Sequence, residues 1–302
     1  MGFRKVIVLG AGAIGSVYGA LLSENEDVTL VGSEKHVDAV NSNGLQVFGE
    51  VNETFKPRAD IVIREIPERT LILLTTKAYD SAKAIKRIEE LLMEDTTILV
   101  LQNGLGNEEI VKHVVGKKAK VLRGITTAAA EFFKPGEIRF WHGDTIIERD
   151  AAAKQISEIF NASGLKTILT TNINQEVWNK LVANNVINPL TAIFRVTNRE
   201  ICIGSLESIR HQIVSECVAV GNIEGMRFPA RLAQEIDREI MNYSNFSSMC
   251  QDVIKGKRTE IDFLNGKIVE LGRKRHIPTP VNETLVCMIK FLEEKNGLPR
   301  KD

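Results

Sequence analysis

Hydrophobic and polar positions follow two rhythms along this chain. Through the first half, short apolar, β-branched runs alternate with helix-like stretches. Residues 6–9, Val-Ile-Val-Leu, have no polar face, as expected of a strand covered on both sides. The run Gly10-Ala11-Gly12-Ala13-Ile14-Gly15 follows, then a helix-like stretch to about residue 23 and a second strand at 28–31. Together they make one strand–helix–strand unit. Further strands are predicted at 45–48, 61–63, 71–75, 98–101 and 121–127, with helices at 81–93 and 107–115. Two alternating runs, 137–141 and 145–148, close this half. Such alternation predicts an α/β fold with a doubly wound, mostly parallel sheet.

After about Thr171 the apolar spacing changes to three and four residues. Val177, Leu181 and Ile187 mark one helix; Ile209, Ile213, Val214 and Val218 mark the next. Ile261, Leu264, Ile268 and Leu271 mark a third, and a last helix at 283–295 follows Pro278 and Pro280. The chain therefore divides into an N-terminal α/β domain, residues 1–171, and an all-helical domain, residues 172–302. A length of 302 residues suits two domains.

Composition narrows the function. Apolar residues are 43% and charged residues 26%, so a disordered or repetitive chain is excluded. Lys and Arg number 39 and so do Asp and Glu, without the basic excess of a nucleic-acid binder. Cys202, Cys217, Cys250 and Cys287 form no paired motif, which argues against a zinc ribbon or disulfide scaffold and points to a reducing cytoplasm. The uncharged run at 6–22 mimics a signal peptide, but Gly10, Gly12, Gly15 and Gly19 interrupt it and it is short for a membrane span. No targeting segment is expected. His36, His113, His142, His211 and His276 show no metal-ligand spacing, so no metal is expected either.

The glycine run lies between a strand and a helix, where it predicts a dinucleotide site. Gly10 would make the tight turn, Gly12 would let pyrophosphate approach the backbone, and Gly15 would let the helix pack on the sheet. The helix N-terminus then offers N–H groups to the phosphates. An NAD site usually places a carboxylate at the end of the second strand; here that position is Gly32. Ser33 and Lys35 are donors for a 2′-phosphate, which favours NADP over NAD, while Glu34 is the dissenting acid. Thr75-Thr76-Lys77 and Gln102-Asn103-Gly104 follow two buried strands, where ligands bind in doubly wound sheets.

In the second half, Lys180, Asn184 and Asn188 recur every four residues along an otherwise apolar helix. An ammonium and two amides on such a helix need polar partners. A stripe facing a cleft supplies them, and Pro189 is expected to kink the helix just beyond. Ser248 and Asp252 would share a second helical face, and Glu260 would open the third helix. On spacing alone Ser248 reads as a capping or surface serine and Glu260 as a first-turn acid.

The segments GAGAIG, TTKAYD, LQNGLG, WNKLVANNVINPLTAI, SSMCQDV and TEIDFLNG, in this order, resemble the ketopantoate reductase family (2-dehydropantoate 2-reductases). The likeness spans residues 6–282. It implies a Rossmann domain joined to a helical domain, and NADPH-dependent reduction of 2-dehydropantoate to pantoate, a step towards pantothenate and coenzyme A. By position, Lys180 resembles the family's general acid. Asn103, Asn184, Asn188, Asn198 and Ser248 resemble its substrate-contacting residues. Glu260 and Ala129 resemble positions touching the cofactor near the nicotinamide, and Lys77 a lysine facing the site. Many members carry Arg where this chain has Ser33. The implied partner is a small 2-oxo acid, with no nucleic acid or membrane, and a homodimer is left open. Two other readings stand beside this one: a related dehydrogenase for another 2-oxo acid, and a dinucleotide-binding sensor without turnover.

Overall fold

A computed structural model describes residues 2–297. The described chain forms two compact units, residues 2–102 with 106–173, and residues 103–105 with 174–297. In chain order the first unit contains β1 (Lys5–Leu9), α1 (Ala13–Leu22), β2 (Val28–Val31), α2 (Glu34–Asn43), β3 (Leu45–Gly49), β4 (Glu53–Phe55), β5 (Arg58–Asp60) and β6 (Thr70–Leu74). It continues with α3 (Ser81–Lys86), β7 (Thr97–Val100), α4 (Asn107–Val115), β8 (Lys120–Thr126), β9 (Ala129–Lys134), β10 (Glu137–Trp141), β11 (Thr145–Glu148), α5 (Ala151–Ala162) and β12 (Thr167–Thr170).

Eight strands make the main sheet in the order β12-β11-β8-β7-β6-β1-β2-β5. Every pairing is parallel except β8 with β11. Side chains explain why the strands read as unbroken apolar runs. Val6, Val8, Leu71, Leu73 and Leu99 enter one core with α1 and α5. Ile7, Leu9, Ile72, Leu74, Ile98 and Val100 enter another with α3 and α4. Alternate residues thus serve opposite faces, and both faces are covered. Chain order reverses between β1 and β6, the switch point at which open α/β sheets bind ligands.

The main sheet does not take every predicted strand. β3 and β10 leave it for a four-stranded sheet, β4-β3-β10-β9. Their alternating burial marks strands with one covered face. Leu45, Val47, Ile138 and Phe140 join α1 in one core, so α1 is covered by both sheets. This is why Gly15 to Leu22 is buried all round and reads as a signal-like apolar run. Residues 61–63 are not a strand: β5 lies just before them, and Ile61 and Val62 are 54% and 42% exposed. The predicted helix 81–93 ends early, because Ile88 leaves α geometry (φ −113°, ψ 0°) and a 3₁₀ turn, Glu89–Leu91, follows.

The second unit holds α6 (Ile173–Phe194), α7 (Glu207–Ile223), α8 (Leu232–Ile240), α9 (Ser248–Ile254), α10 (Asn265–Arg275) and α11 (Pro280–Lys295). Leu181, Val182, Val186, Ile213, Val220, Ile268 and Ile289 share its core. Ile209, expected on the buried stripe of α7, is 38% exposed. The third predicted helix is two elements. Ile261–Phe263 is a 3₁₀ turn, Leu264 breaks it (φ −108°, ψ −107°), and α10 begins at Asn265. Glu260 therefore precedes a short turn rather than opening a long helix. Among the described residues no helix is long and apolar enough to cross a membrane.

Candidate active site

The glycine run forms the turn between β1 and α1. Gly10 has φ +114°, and a Cβ there would stand 2.4 Å from the Thr76 nitrogen. A Cβ on Gly15 would stand 2.2 Å from the Gly10 carbonyl oxygen and 2.5 Å from the Thr75 hydroxyl. That hydroxyl donates to the Gly10 carbonyl at 2.8 Å, fastening the loop to the end of β6. Gly12 is different: a Cβ there meets nothing within 4 Å, and no side chain caps the helix it precedes. Open space thus faces the N–H groups at the start of α1, flanked by Ala11, Ala13 and Ile14. Two glycines are demanded by packing and one leaves room beside a helix N-terminus, the requirements of a phosphate cradle.

Ser33 stands just before α2 and Lys35 within its first turn, both exposed. The Ser33 side chain does not cap the helix. Gly32 has a steric reason as well as a chemical one. A Cβ there would lie 2.8 Å from that of Ala11, so the usual carboxylate position is closed to side chains. His36, one residue further, is buried and bridges two elements. The Gly136 N–H donates to its Nδ1 at 3.1 Å, so Nε2 carries the ring hydrogen and donates to Ser16 Oγ at 3.0 Å. Burial holds this imidazole below its ordinary pKa, in the neutral form the two bonds require.

Lys77 is half-buried and immediately precedes the 3₁₀ turn Ala78–Asp80 after β6. Ala129, also half-buried, begins β9 of the small sheet. Gln102, at the end of β7, donates to the Thr76 carbonyl at 2.7 Å. Arg123, 2% exposed, donates to the carbonyls of Val100 at 3.1 Å and Gln102 at 2.8 Å. Burial pushes its guanidinium down to about 10, with Glu108, 3.4 Å away, opposing the shift. It stays charged near neutrality and clamps the strand end that precedes Asn103.

Residues 103–105 belong to the helical unit. Gly104 has φ +85°, and a Cβ there would lie 2.3 Å from the Phe263 carbonyl oxygen. The Leu105 N–H donates to that same oxygen at 3.3 Å. Held on this turn, Asn103 accepts a hydrogen bond from Lys180 Nζ at 2.8 Å. Lys180 and Asn184 are half-buried on α6, and Asn188 is 4% exposed. Thr191, a turn later, bonds Ser247 at 2.6 Å, which brings the start of α9 to α6. Ser247 caps α9 by accepting from the Cys250 N–H, and Ser248, the residue after it, is exposed, which is the surface and not the capping alternative that spacing left open. Asn198, 6% exposed, opens a 3₁₀ turn, and its N–H donates to the Asn245 carbonyl at 2.9 Å. Glu260 is 7% exposed, on the turn that receives Leu105.

The geometry therefore joins Lys180 directly to Asn103 and gathers Asn188, Asn198 and Ser248 through the 243–248 loop and Thr191. The glycine run, Ser33, Lys35, Lys77 and Ala129 all lie in the first unit. Ser16, His36, Arg123 and Asn265 support these groups and were given no role by sequence reasoning, because each acts through a partner distant in the chain.

The model of ketopantoate reductase PanE/ApbA matches residues 6–149, and that of its C-terminal part matches residues 172–293. The 2-dehydropantoate 2-reductase of Pyrococcus horikoshii is 36% identical, over 97% of this chain and 99% of that protein. A PanE/ApbA family ketopantoate reductase from Ralstonia eutropha superposes with a TM-score of 0.90 at 30% identity, covering 97% of this chain and 99% of the other. D-mandelate dehydrogenase, solved with NADH and anilino(oxo)acetate, superposes with a TM-score of 0.88 at 27% identity, covering 97% and 100%. Two family models that between them match most of the chain, and a relative alike over nearly its whole length, show that the chain belongs to the ketopantoate reductase family.

The glycines predict distinct stabilities. Gly15→Ala should cost about 1–3 kcal/mol through overpacking. Gly12→Ala should cost less than about 1 kcal/mol, a helix-cap effect only. Urea unfolding monitored by circular dichroism measures both; equal losses would contradict the open space at Gly12.

Proposed function

We propose that the protein reduces 2-dehydropantoate to (R)-pantoate with NADPH, and that Lys180 is the general acid. The observation that carries this reading is the bond from Lys180 Nζ to Asn103 Oδ1 at 2.8 Å. A cationic group is thereby aimed by an uncharged acceptor on a helix otherwise packed in an apolar core.

The residues fit a dinucleotide. The cradle at Gly12 receives the pyrophosphate, and Ser33 and Lys35 lie at the α2 N-terminus, where a 2′-phosphate would add favourable charge. Lys77, Ala129 and Glu260 complete the cofactor-binding set. When bound, the reduced nicotinamide supplies a hydride. Lys180 then meets the negative charge that develops on the ketone oxygen and delivers the proton that makes the alcohol. Asn103 holds the ammonium in position. Asn184, Asn188, Asn198 and Ser248 bind the carboxylate and hydroxyl of the substrate without adding negative charge that would oppose its entry. We further read the protein as cytoplasmic, its four cysteines being free thiols.

A second reading, reduction of another 2-oxo acid, rests on the likeness to D-mandelate dehydrogenase. Oxidation of NADPH and NADH followed by absorbance, with 2-dehydropantoate and a panel of other 2-oxo acids, decides between them. A sensor would oxidise neither cofactor, and it has no need of a lysine held in this way.

Lys180→Ala should lose about 2–4 kcal/mol of transition-state stabilisation, chiefly in kcat, while NADPH affinity changes little. Steady-state kinetics beside fluorescence titration separates the two; near-normal turnover would remove Lys180 from the role. Gly12→Val should abolish NADPH binding without unfolding the chain, since its side chain enters the cradle. Undiminished affinity in that variant would mean the loop is only a turn. Ser33 and Lys35 offer one hydrogen bond and one exposed charge, so NADPH should be preferred about ten- to a hundredfold in kcat/KM. Ser33→Arg should widen that preference, because a guanidinium engages phosphate bidentately. Equal use of NADH by the unmodified protein would promote Glu34 as a ribose-binding acid.

A further inference from the structure

The polar stripe of α6 runs into a proline, and a helix must answer for that. In an α-helix the N–H of each residue bonds the carbonyl four residues earlier. Pro189 has no N–H, so the Asn185 carbonyl loses its helical donor. Yet α6 continues without interruption to Phe194. The missing donor comes from another helix. Asn265 Nδ2 donates to the Asn185 carbonyl oxygen at 3.0 Å, across 80 residues of chain, and both residues are fully buried.

We infer that Asn265 is a positioning residue for the reaction: its side-chain amide replaces the N–H that Pro189 lacks and so holds the turn of α6 bearing Asn184 and Asn188. This rests on the proposed reduction for the identity of the reaction. The amide is itself fixed. The same nitrogen donates to Asn282 Oδ1 at 2.9 Å. Asn282 in turn donates to Glu216 through its side chain at 2.7 Å and its backbone N–H at 2.9 Å. Asn265 also begins α10, directly after the turn whose Phe263 carbonyl receives Leu105. One side chain therefore ties the helix carrying Lys180 to the turn supporting Asn103.

The test is a double-mutant cycle, Asn265→Leu in the natural chain and in the Pro189→Ala background, where residue 189 regains its N–H. An unsatisfied buried carbonyl predicts that Asn265→Leu lowers kcat/KM for 2-dehydropantoate about 5- to 100-fold, mostly through KM, with the NADPH dissociation constant unchanged. Hydrogen exchange of the 184–194 peptide, read without substrate, should quicken by a similar factor. In the Pro189→Ala background both effects of Asn265→Leu should shrink several-fold. If Asn265→Leu folds only in that background, the rescue is itself the predicted result. Equal effects in both backgrounds, unchanged exchange, or failure to fold in both would overturn the inference. Absence of 2-dehydropantoate reduction by the unmodified protein would instead overturn the proposed activity, and exchange would still decide the role of Asn265.

Discussion

The bond between Lys180 and Asn103 is the interaction on which the proposed reduction depends. It joins residues 77 apart in sequence, and neither could hold the geometry alone. A lysine side chain has four rotatable carbons and gains little from an exposed partner. The bond is useful because both ends are fixed beforehand. Lys180 rides on a helix whose other faces, at Leu181, Val182 and Val186, are buried. Asn103 rides on a three-residue segment that only glycine at 104 allows to approach the Phe263 carbonyl. The cost of ordering the pair is met during folding and not at the moment of reaction.

Polar groups inside the helical unit show how that order is kept. α6 contains four asparagines between residues 179 and 188, an unfavourable composition for a helix interior. Asn179 accepts from Gln175 at 2.9 Å, and Asn185 turns inward to donate to Cys217 Sγ at 3.4 Å. Burial pushes that thiol up to about 12, so it packs as a neutral group. Thr191 returns its hydroxyl to the Ile187 carbonyl at 2.7 Å, supporting the helix just past the proline. Several departures from good helix chemistry are thus met by specific partners, Gln175 and Ile187 within α6 and Cys217 on α7.

Much of this was legible in the residues. Continuous apolar runs gave the central strands, because a strand covered on both faces has no polar positions to show. Four-residue spacing exposed Lys180, Asn184 and Asn188, because one helical face repeats at that interval. What stayed hidden has a common cause. The second sheet pairs β3 with β10, some ninety residues apart, and alternation alone does not say which sheet a strand joins. Likewise Asn265 looked like one letter of a motif, although the proline it repairs was in plain view. A missing N–H can be read from sequence; the side chain that replaces it cannot. Family likeness proposed roles for Ser248 and Glu260, which spacing left as a capping or surface serine and a first-turn acid, and for Asn198, which spacing did not single out.

Gly32 shows how a single vacancy carries two meanings. From sequence it is an absent carboxylate, a matter of charge and cofactor choice. In the fold it is also a contact, because Ala11 of the glycine loop occupies the space a side chain would need. Ala11 is held there by its N–H, which donates to the Val31 carbonyl at 2.8 Å beside the matching bond from Gly10 at 3.0 Å. The loop and the end of β2 are therefore one rigid piece. In the proposed site, discrimination between phosphorylated and free ribose cannot be written at position 32 without disturbing the glycine loop. It falls to the residues that follow, Ser33 to Lys35, at the start of a helix anchored by His36 to α1 and to the Gly136 turn. In the proposed cofactor site, the rigidity of the glycine loop leaves cofactor choice to the first turn of α2, where exposed side chains can change without loss of packing.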